Sequence, residues 1–349
     1  MSVISPPAPT RERSGRDDGW LSSFSRHNAA LLPTLAAVVI FVAMLIYGQL
    51  AYGRMFQMST VSNLFINNAQ LVIIAVGMTL PILTGRGGID LSVGAVIAFS
   101  SVSGVMLANA GIPAWLVVAI MVLSGTLFGL GSGTLIVGFG VQPFIATLSM
   151  MFLARGLASM LSTEPERLAD DSAIRRLGAT IKLIDGPKVN DLMITPGVII
   201  AVVVVVVAYV LLHRTRFGRT VYAIGGSGTS PQLMGLRVPR TTMLVYAISG
   251  TLAGIAAVVF TARLGIGQNI TGIGWELDAI ASVVIGGTLL SGGAGYVLGS
   301  VVGALTLGLM NVLITRDGGI PPEATTIITG GILLVFVLLQ RAVTARRRE

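Results

Sequence analysis

Cysteine is absent from all 349 residues, and lysine and histidine occur twice each. Without thiols the chain has no disulfide, no thiolate nucleophile and no cysteine-held metal. His27 and His213 stand beside apolar runs and do not by themselves make an imidazole metal site. Lys182 is followed by Leu183 and Lys188 by Val189, so a GxxxxGKS/T phosphate loop is excluded, and with it ATP hydrolysis by that route. HExxH, GxSxG and paired aspartates within an apolar run are also missing, which leaves a membrane protease or esterase without support. Charged residues make up only 11% of the chain against 53% hydrophobic residues and 44 glycines. That balance gives an all-α, polytopic helical membrane protein.

Apolar runs near 30–50, 64–84, 91–109, 113–138, 143–161, 196–212, 241–262, 277–290, 296–315 and 324–340 predict about ten transmembrane helices. The run at 277–290 is short for a bilayer whose hydrocarbon takes about 20 helical residues, so a broken or re-entrant element is expected there. The net charge of +8 resolves into two patches. Arg214, Arg216, Arg219, Arg237 and Arg240 share the interval 213–240, and Arg341, Arg346, Arg347 and Arg348 close the chain. Both patches mark a cytoplasmic face and attract anionic membrane lipid; no nucleic-acid partner is implied. Residues 1–28 read as a disordered cytoplasmic tail, 29–341 as the transmembrane domain and 342–349 as a basic cytoplasmic tail. An even span count puts 162–195 outside. Its near-balanced acids and bases suit either an aqueous connector or a segment folded over the outer mouth.

Two glycine-rich stretches match each other: GGIDLSVGAVIA at 87–98 and GGAGYVLGSVVGA at 292–304. In each, a glycine follows six residues after the pair, which points to internal repeats that interrupt corresponding halves of a transport pathway. Gly125, Gly129 and Gly133, spaced four apart, need only close helix packing. Asp90, Glu276 and Asp278 border the apolar stretches. Asp90 reads first as a cap for the helix that follows, and Glu276 and Asp278 either cap the eighth span or pair with Arg263. Asn67, Asn68, Gln70, Gln142, Thr147, Gln268 and Asn269 are uncharged groups that either line a polar pathway or bond between helices. Within the basic interval, Gly225 to Leu236 suits a short helix capped by Thr229 or Ser230 with Pro231 in its first turn.

The run ARLGIGQNITGIGWELDAIASVVIGGTLLSGGAGYVLGSVVGALTLGLMN, Ala262 to Asn311, resembles the permease subunits of bacterial sugar ABC importers of the ribose and galactose group. GGIDLSVGAVIA and FGRTVYAIGGSGTSPQLMGLRV are similar to that group's other recurrent segments, and GGILLVFVLLQRAV is similar to a galactofuranose importer permease. The resemblance implies ATP-driven import of a monosaccharide across the inner membrane. Its partners are a periplasmic sugar-binding protein, a second permease copy or paralogue, and an ABC ATPase that binds ATP and magnesium, so this chain carries no cofactor. The motor-contacting loop falls on Gly225, Gly226, Ser230, Leu233, Gly235 and Leu236, flanked by Arg216 and Arg219. The pathway segments fall on Gly87, Gly88, Asp90 and Ser92 and on Gly292 and Gly293. Ser227-Gly228-Thr229 departs from an asparagine and alanines frequent in relatives, which bears on partner identity. Readings that remain open are a permease for branched-chain amino acids or another small polar solute, and an ion-coupled secondary transporter. On the coupling-loop reading, Gly235→Asp abolishes transport and leaves membrane insertion intact; normal uptake by that variant overturns the reading.

Overall fold

The computed structural model describes residues 32–184, 192–226, 234–319, 321 and 324–345. The expected tail 1–28, Ser230 and Leu233 of the motor-contacting loop, and residues 346–349 of the basic tail lie outside these residues. Among them are twelve helices: α1 (Leu32–Tyr52), α2 (Met58–Leu83), α3 (Val93–Asn109), α4 (Ala114–Gly138), α5 (Pro143–Leu161), α6 (Ala173–Arg176), α7 (Pro196–Arg214), α8 (Arg216–Gly226), α9 (Val238–Leu264), α10 (Trp275–Ile285), α11 (Val297–Asp317) and α12 (Ala324–Ala345). Two short antiparallel pairs complete the fold: β1 (Glu166–Arg167) with β4 (Ile266–Gly267), and β2 (Ile181–Ile184) with β3 (Leu192–Ile194).

Seven helices, α1, α2, α4, α5, α7, α9 and α11, are long and apolar enough to cross a membrane. α3 is a shorter apolar helix of 17 residues. The expected broken element is α10: its 11 residues rise about 16 Å, roughly half the hydrocarbon thickness, and non-helical chain continues from Gly286. Side-chain contacts sort the connections onto two faces. Thr34 at the start of α1 donates to Gly286 O at 3.1 Å, whereas at its other end Tyr52 donates to Asp317 Oδ1 at 2.9 Å and Arg316 donates to Gly53 O at 2.8 Å. Connections 84–92, 215–226 and 286–296 therefore share one face, and 53–57, 162–184 with 192–195, and 265–274 share the other. This alternation agrees with about ten crossings.

The helices form an inner and an outer shell. α2, α9 and α11 are mostly buried, while α1, α4, α5 and α7 leave most of their surface open, with Val39, Leu50, Leu127, Phe152, Val203 and Val207 exposed. In a bilayer such apolar flanks are solvated by lipid tails, which have no reason to drive helices together, so the inner shell depends on close packing. α9 supplies it against α2, α3 and α4. A methyl group at Gly125 would overlap Gly250 O and sit 2.8 Å from Gly254 N, and one at Gly133 would sit 3.0 Å from Met243 Cα. The fourfold glycine spacing on α4 thus lets two backbones touch along several turns.

The segment after α5 is folded over its face as well as connecting spans. β1 pairs with β4, Leu168 N donates to Gly265 O at 2.9 Å, and Asn109 donates to Arg167 O at 2.8 Å while accepting from Ala169 N at 3.1 Å. Leu168 and Ile174 are buried beneath it.

Replacing Gly125 by valine forces α4 off α9 and costs roughly 1–3 kcal/mol of stability, whereas Gly156→Ala, with open space around its added methyl, stays within about 0.5 kcal/mol. Unfolding of the two variants in detergent micelles measures the difference.

Candidate functional site

The basic interval folds into an elbow. Pro196 opens α7 and Thr215 breaks it from α8 with extended backbone, its hydroxyl donating to Leu211 O at 2.5 Å and accepting from Gly218 N at 3.3 Å. A side chain at Gly218 would overlap the Leu212 carbonyl, so the two helices turn on main-chain contact. α8 is amphipathic: Gly218, Val221 and Ile224 are buried, and Arg216 and Arg219 are exposed beside Arg214. α8 ends at Gly226, and the short helix expected within Gly225–Leu236 falls mostly on residues outside those described. Thr229, Pro231 and the expected cap lie outside the described residues. Gly235 stands in a turn with φ +73° and Leu236 is half-buried before α9. Nothing among the described residues lies within 4 Å of a methyl placed on Gly235, and its positive φ favours glycine there.

The two matching glycine stretches occupy corresponding places. One joins α2 to α3, the other α10 to α11, and they touch: Gly293 N donates to Leu83 O at 2.9 Å, and a methyl on Gly292 would lie 2.5 Å from Gly85 N. Gly292 and Gly293 have φ +86° and +77°, and Gly87 has φ +74°. Several backbone groups of the two stretches find partners in nearby chain, as burial in a membrane requires. Gly88 N donates to Gly85 O at 2.9 Å, Gly292 N to Leu289 O at 2.9 Å and Leu289 N to Ala294 O at 2.9 Å.

Asp90 is fully buried between α3 and α9. Its Oδ1 accepts from Ser92 N at 3.0 Å and Ser92 Oγ at 2.6 Å, and its Oδ2 accepts from Ser249 Oγ at 2.7 Å. Ser92, not Asp90 as expected, is the N-cap of α3, and it makes no side-chain cap bond; Asp90 instead holds Ser92 and tethers it to α9. Thr147, also buried, donates to Ile89 O at 3.1 Å and so fastens α5 to the same stretch. Asn68 donates to Leu64 O at 2.8 Å and packs on Gly308 of α11, filling the space between helices. Asn67 and Gln142 are exposed, and Gln70 is buried and donates to Asn67 O at 2.8 Å. Gly87 is exposed and Gly88 buried. Gln268 and half-buried Asn269 lie on the opposite face, far along the chain's thickness from Asp90, so the expected pathway residues form two groups and not one.

Arg155, a charge within the fifth apolar span, carries a role that the motif reading passed over. It donates from Nη1 to Asn269 O and Thr271 O, both at 2.6 Å, and Asn269 donates to Ser159 Oγ at 3.1 Å. An arginine inside an apolar run is costly without partners, which was a readable signal. Glu276 caps by accepting from Gly274 N at 3.3 Å, as expected, while Arg263 donates to Asn67 O at 3.3 Å.

On the α8 face a cavity of ≈ 290 Å³ opens between Arg86, Val137, Pro143, Ile224, Pro239 and Tyr246. Tyr222 of α8 donates to Gly295 O at 2.7 Å, and burial pushes its phenol pKa above the ordinary value. His213 stacks on Tyr296 with ring centroids 5.5 Å apart. Among the described residues the arrangement holds no constellation of nucleophile and base; it joins an arginine-bearing surface helix to two largely buried glycine turns.

Residues 60–337 match the family described as branched-chain amino acid transport system / permease component. The chain is 57% identical to the fructose import permease protein FruG of Bifidobacterium longum, over 90% of this chain and 92% of that protein. It is 39% identical to the inner membrane ABC transporter permease protein YjfF of Escherichia coli over 90% and 93%. With the ribose import permease protein RbsC of Haemophilus influenzae it shares 38% over 73% and 77%. Spanning nearly the whole helical bundle and both glycine stretches, these matches show that the chain belongs to this family of ABC-transporter permeases.

Proposed function

We propose that this chain is the membrane-spanning subunit of an ATP-driven importer for a monosaccharide, with fructose the first sugar to test and ribose, allose and galactofuranose after it. The observation that carries the reading is the likeness, at 57% identity over 90% of the chain, to a fructose import permease. The subunit is a transport component and not an enzyme. ATP and magnesium are bound by a separate ABC ATPase, an extracytoplasmic binding protein delivers the sugar, and a second copy or a paralogous permease completes the channel. The α8 face, with Arg214, Arg216 and Arg219 exposed, is the cytoplasmic side under the positive-inside rule. Both termini then lie in the cytoplasm of a cell whose cytoplasmic membrane holds the protein. Arg216, Arg219, Gly225, Gly226 and the chain through Leu236 form the surface that meets the ATPase.

The translocation role divides by depth. Asp90, Ser92 and Thr147 hold the cytoplasmic-side stretch against α5 and α9, and Arg155 with Asn269 holds the opposite mouth. A permease that leaves substrate choice to a binding protein needs such supports more than it needs a selective pocket.

Gentle purification of the tagged chain from its native membrane recovers an ABC ATPase, a sugar-binding protein and any second permease, identified by mass spectrometry. Reconstituted with them in vesicles, it takes up labelled fructose when ATP is present, and uptake survives dissipation of ion gradients. Uptake that collapses with the ion gradient and persists without ATP replaces this reading with a secondary transporter, and competition by leucine instead of sugars replaces the substrate class.

A further inference from the structure

α8 ends against both glycine turns at once. A side chain at Gly225 would overlap Leu83 O and Gly293 N and lie 3.1 Å from Gly292 C. One at Gly293 would lie 2.7 Å from Gly226 Cα, and one at Gly85 would lie 3.5 Å from Gly225 Cα and 2.5 Å from Ser291 O. Three main chains from distant parts of the sequence therefore meet at one point, with the Gly293 N–H bond to Leu83 O closing it. Tyr222, one turn earlier on α8, reaches Gly295 O on the same side.

Contacts between side chains can absorb a displacement by changing rotamer, whereas main chain in van der Waals contact with main chain cannot. Movement of α8 is delivered to both turns undiminished. Those turns hold the glycine pairs of the two stretches whose spacing matches, and each leads into a buried helix, α3 through Asp90 and α11 through Val297.

We propose that Gly225 is a positioning residue for transport: the joint through which α8 moves the 84–92 and 286–296 turns as one body. The proposal rests on the importer reading for its consequence and on geometry alone for its mechanics. It places the transmitting element in α8 itself, ahead of the chain that follows Gly226. Two neighbouring glycines make an internal control. Both are in helix, but a methyl on Gly226 meets nothing within 4 Å, whereas one on Gly225 meets both turns.

Gly225→Ala, Gly226→Ala and Tyr222→Phe are compared in lipid nanodiscs. For the permease alone, hydrogen exchange monitored by mass spectrometry rises in both 84–92 and 286–296 for Gly225→Ala and stays at the unaltered level for Gly226→Ala. In the complex with ATPase and binding protein, sugar transported per ATP falls roughly 2- to 30-fold for Gly225→Ala relative to the unaltered protein, with ATPase still bound. Exchange in Gly225→Ala equal to that in Gly226→Ala, together with transport at the unaltered level, overturns the joint. If Gly225→Ala does not insert or assemble, Tyr222→Phe decides: a lowered transport-to-ATP ratio together with faster exchange of 286–296 upholds the joint, and no change in either overturns it. Absence of ATP-dependent uptake by the unaltered complex counts against the importer reading, while the exchange result still judges the joint.

Discussion

Non-helical backbone buried inside a membrane protein must find its hydrogen-bond partners in protein, and the stretches 84–92 and 286–296 are non-helical and largely buried, with Arg86, Gly87 and Ser291 exposed. Local turns satisfy part of that demand, as where Gly88 bonds Gly85. Side chains brought from other helices satisfy more: Thr147 reaches Ile89 O, Tyr222 reaches Gly295 O and Thr34 reaches Gly286 O. The last part comes from one stretch bonding the end of the helix before the other, Gly293 to Leu83. Glycine is required where these chains approach, because a single methyl at Gly225 or Gly292 would overlap a neighbouring backbone. The inner shell of α2, α3, α9, α10 and α11 is thus organised by polar economy as much as by apolar contact.

Much of this was legible in the sequence. Hydropathy located the spans to within a few residues, since a lipid-crossing helix announces itself by length and by absence of charge. The shortness of 277–290 foretold the broken α10, and the recurring glycine spacing foretold two related turns. α8 was less visible. Its arginines and its glycines at 218, 225 and 226 look like loop chemistry, and only the spacing of Gly218, Val221 and Ile224 betrays a buried face. The difference between lining and packing was not visible at all: Asn68 is a filler because Gly308, distant in sequence, lies against it, and nothing in either local sequence says so.

The two faces are held by different means. On the α8 side the contacts are between main chains and involve surface helix, turns and a cavity beside Tyr246. On the other side β1 is clipped to β4 and Arg155 grips two carbonyls of the following connection, so a strand pair and a charged side chain hold the same segment from two directions. One end of the bundle is stapled across its elements, and the other is jointed.

α7 contains six consecutive valines, Val202 to Val207, with Val202, Val203, Val206 and Val207 exposed on the outer shell. In water such a run favours extended strands and stacks with copies of itself; only surrounding hydrocarbon makes the helix the better solution, by denying the backbone any other partner. The order of events in biosynthesis is thereby constrained. This stretch has to pass from ribosome to bilayer without an aqueous interval, and any procedure that strips lipid and detergent from the finished protein will expose first the segment most prone to convert irreversibly to aggregate.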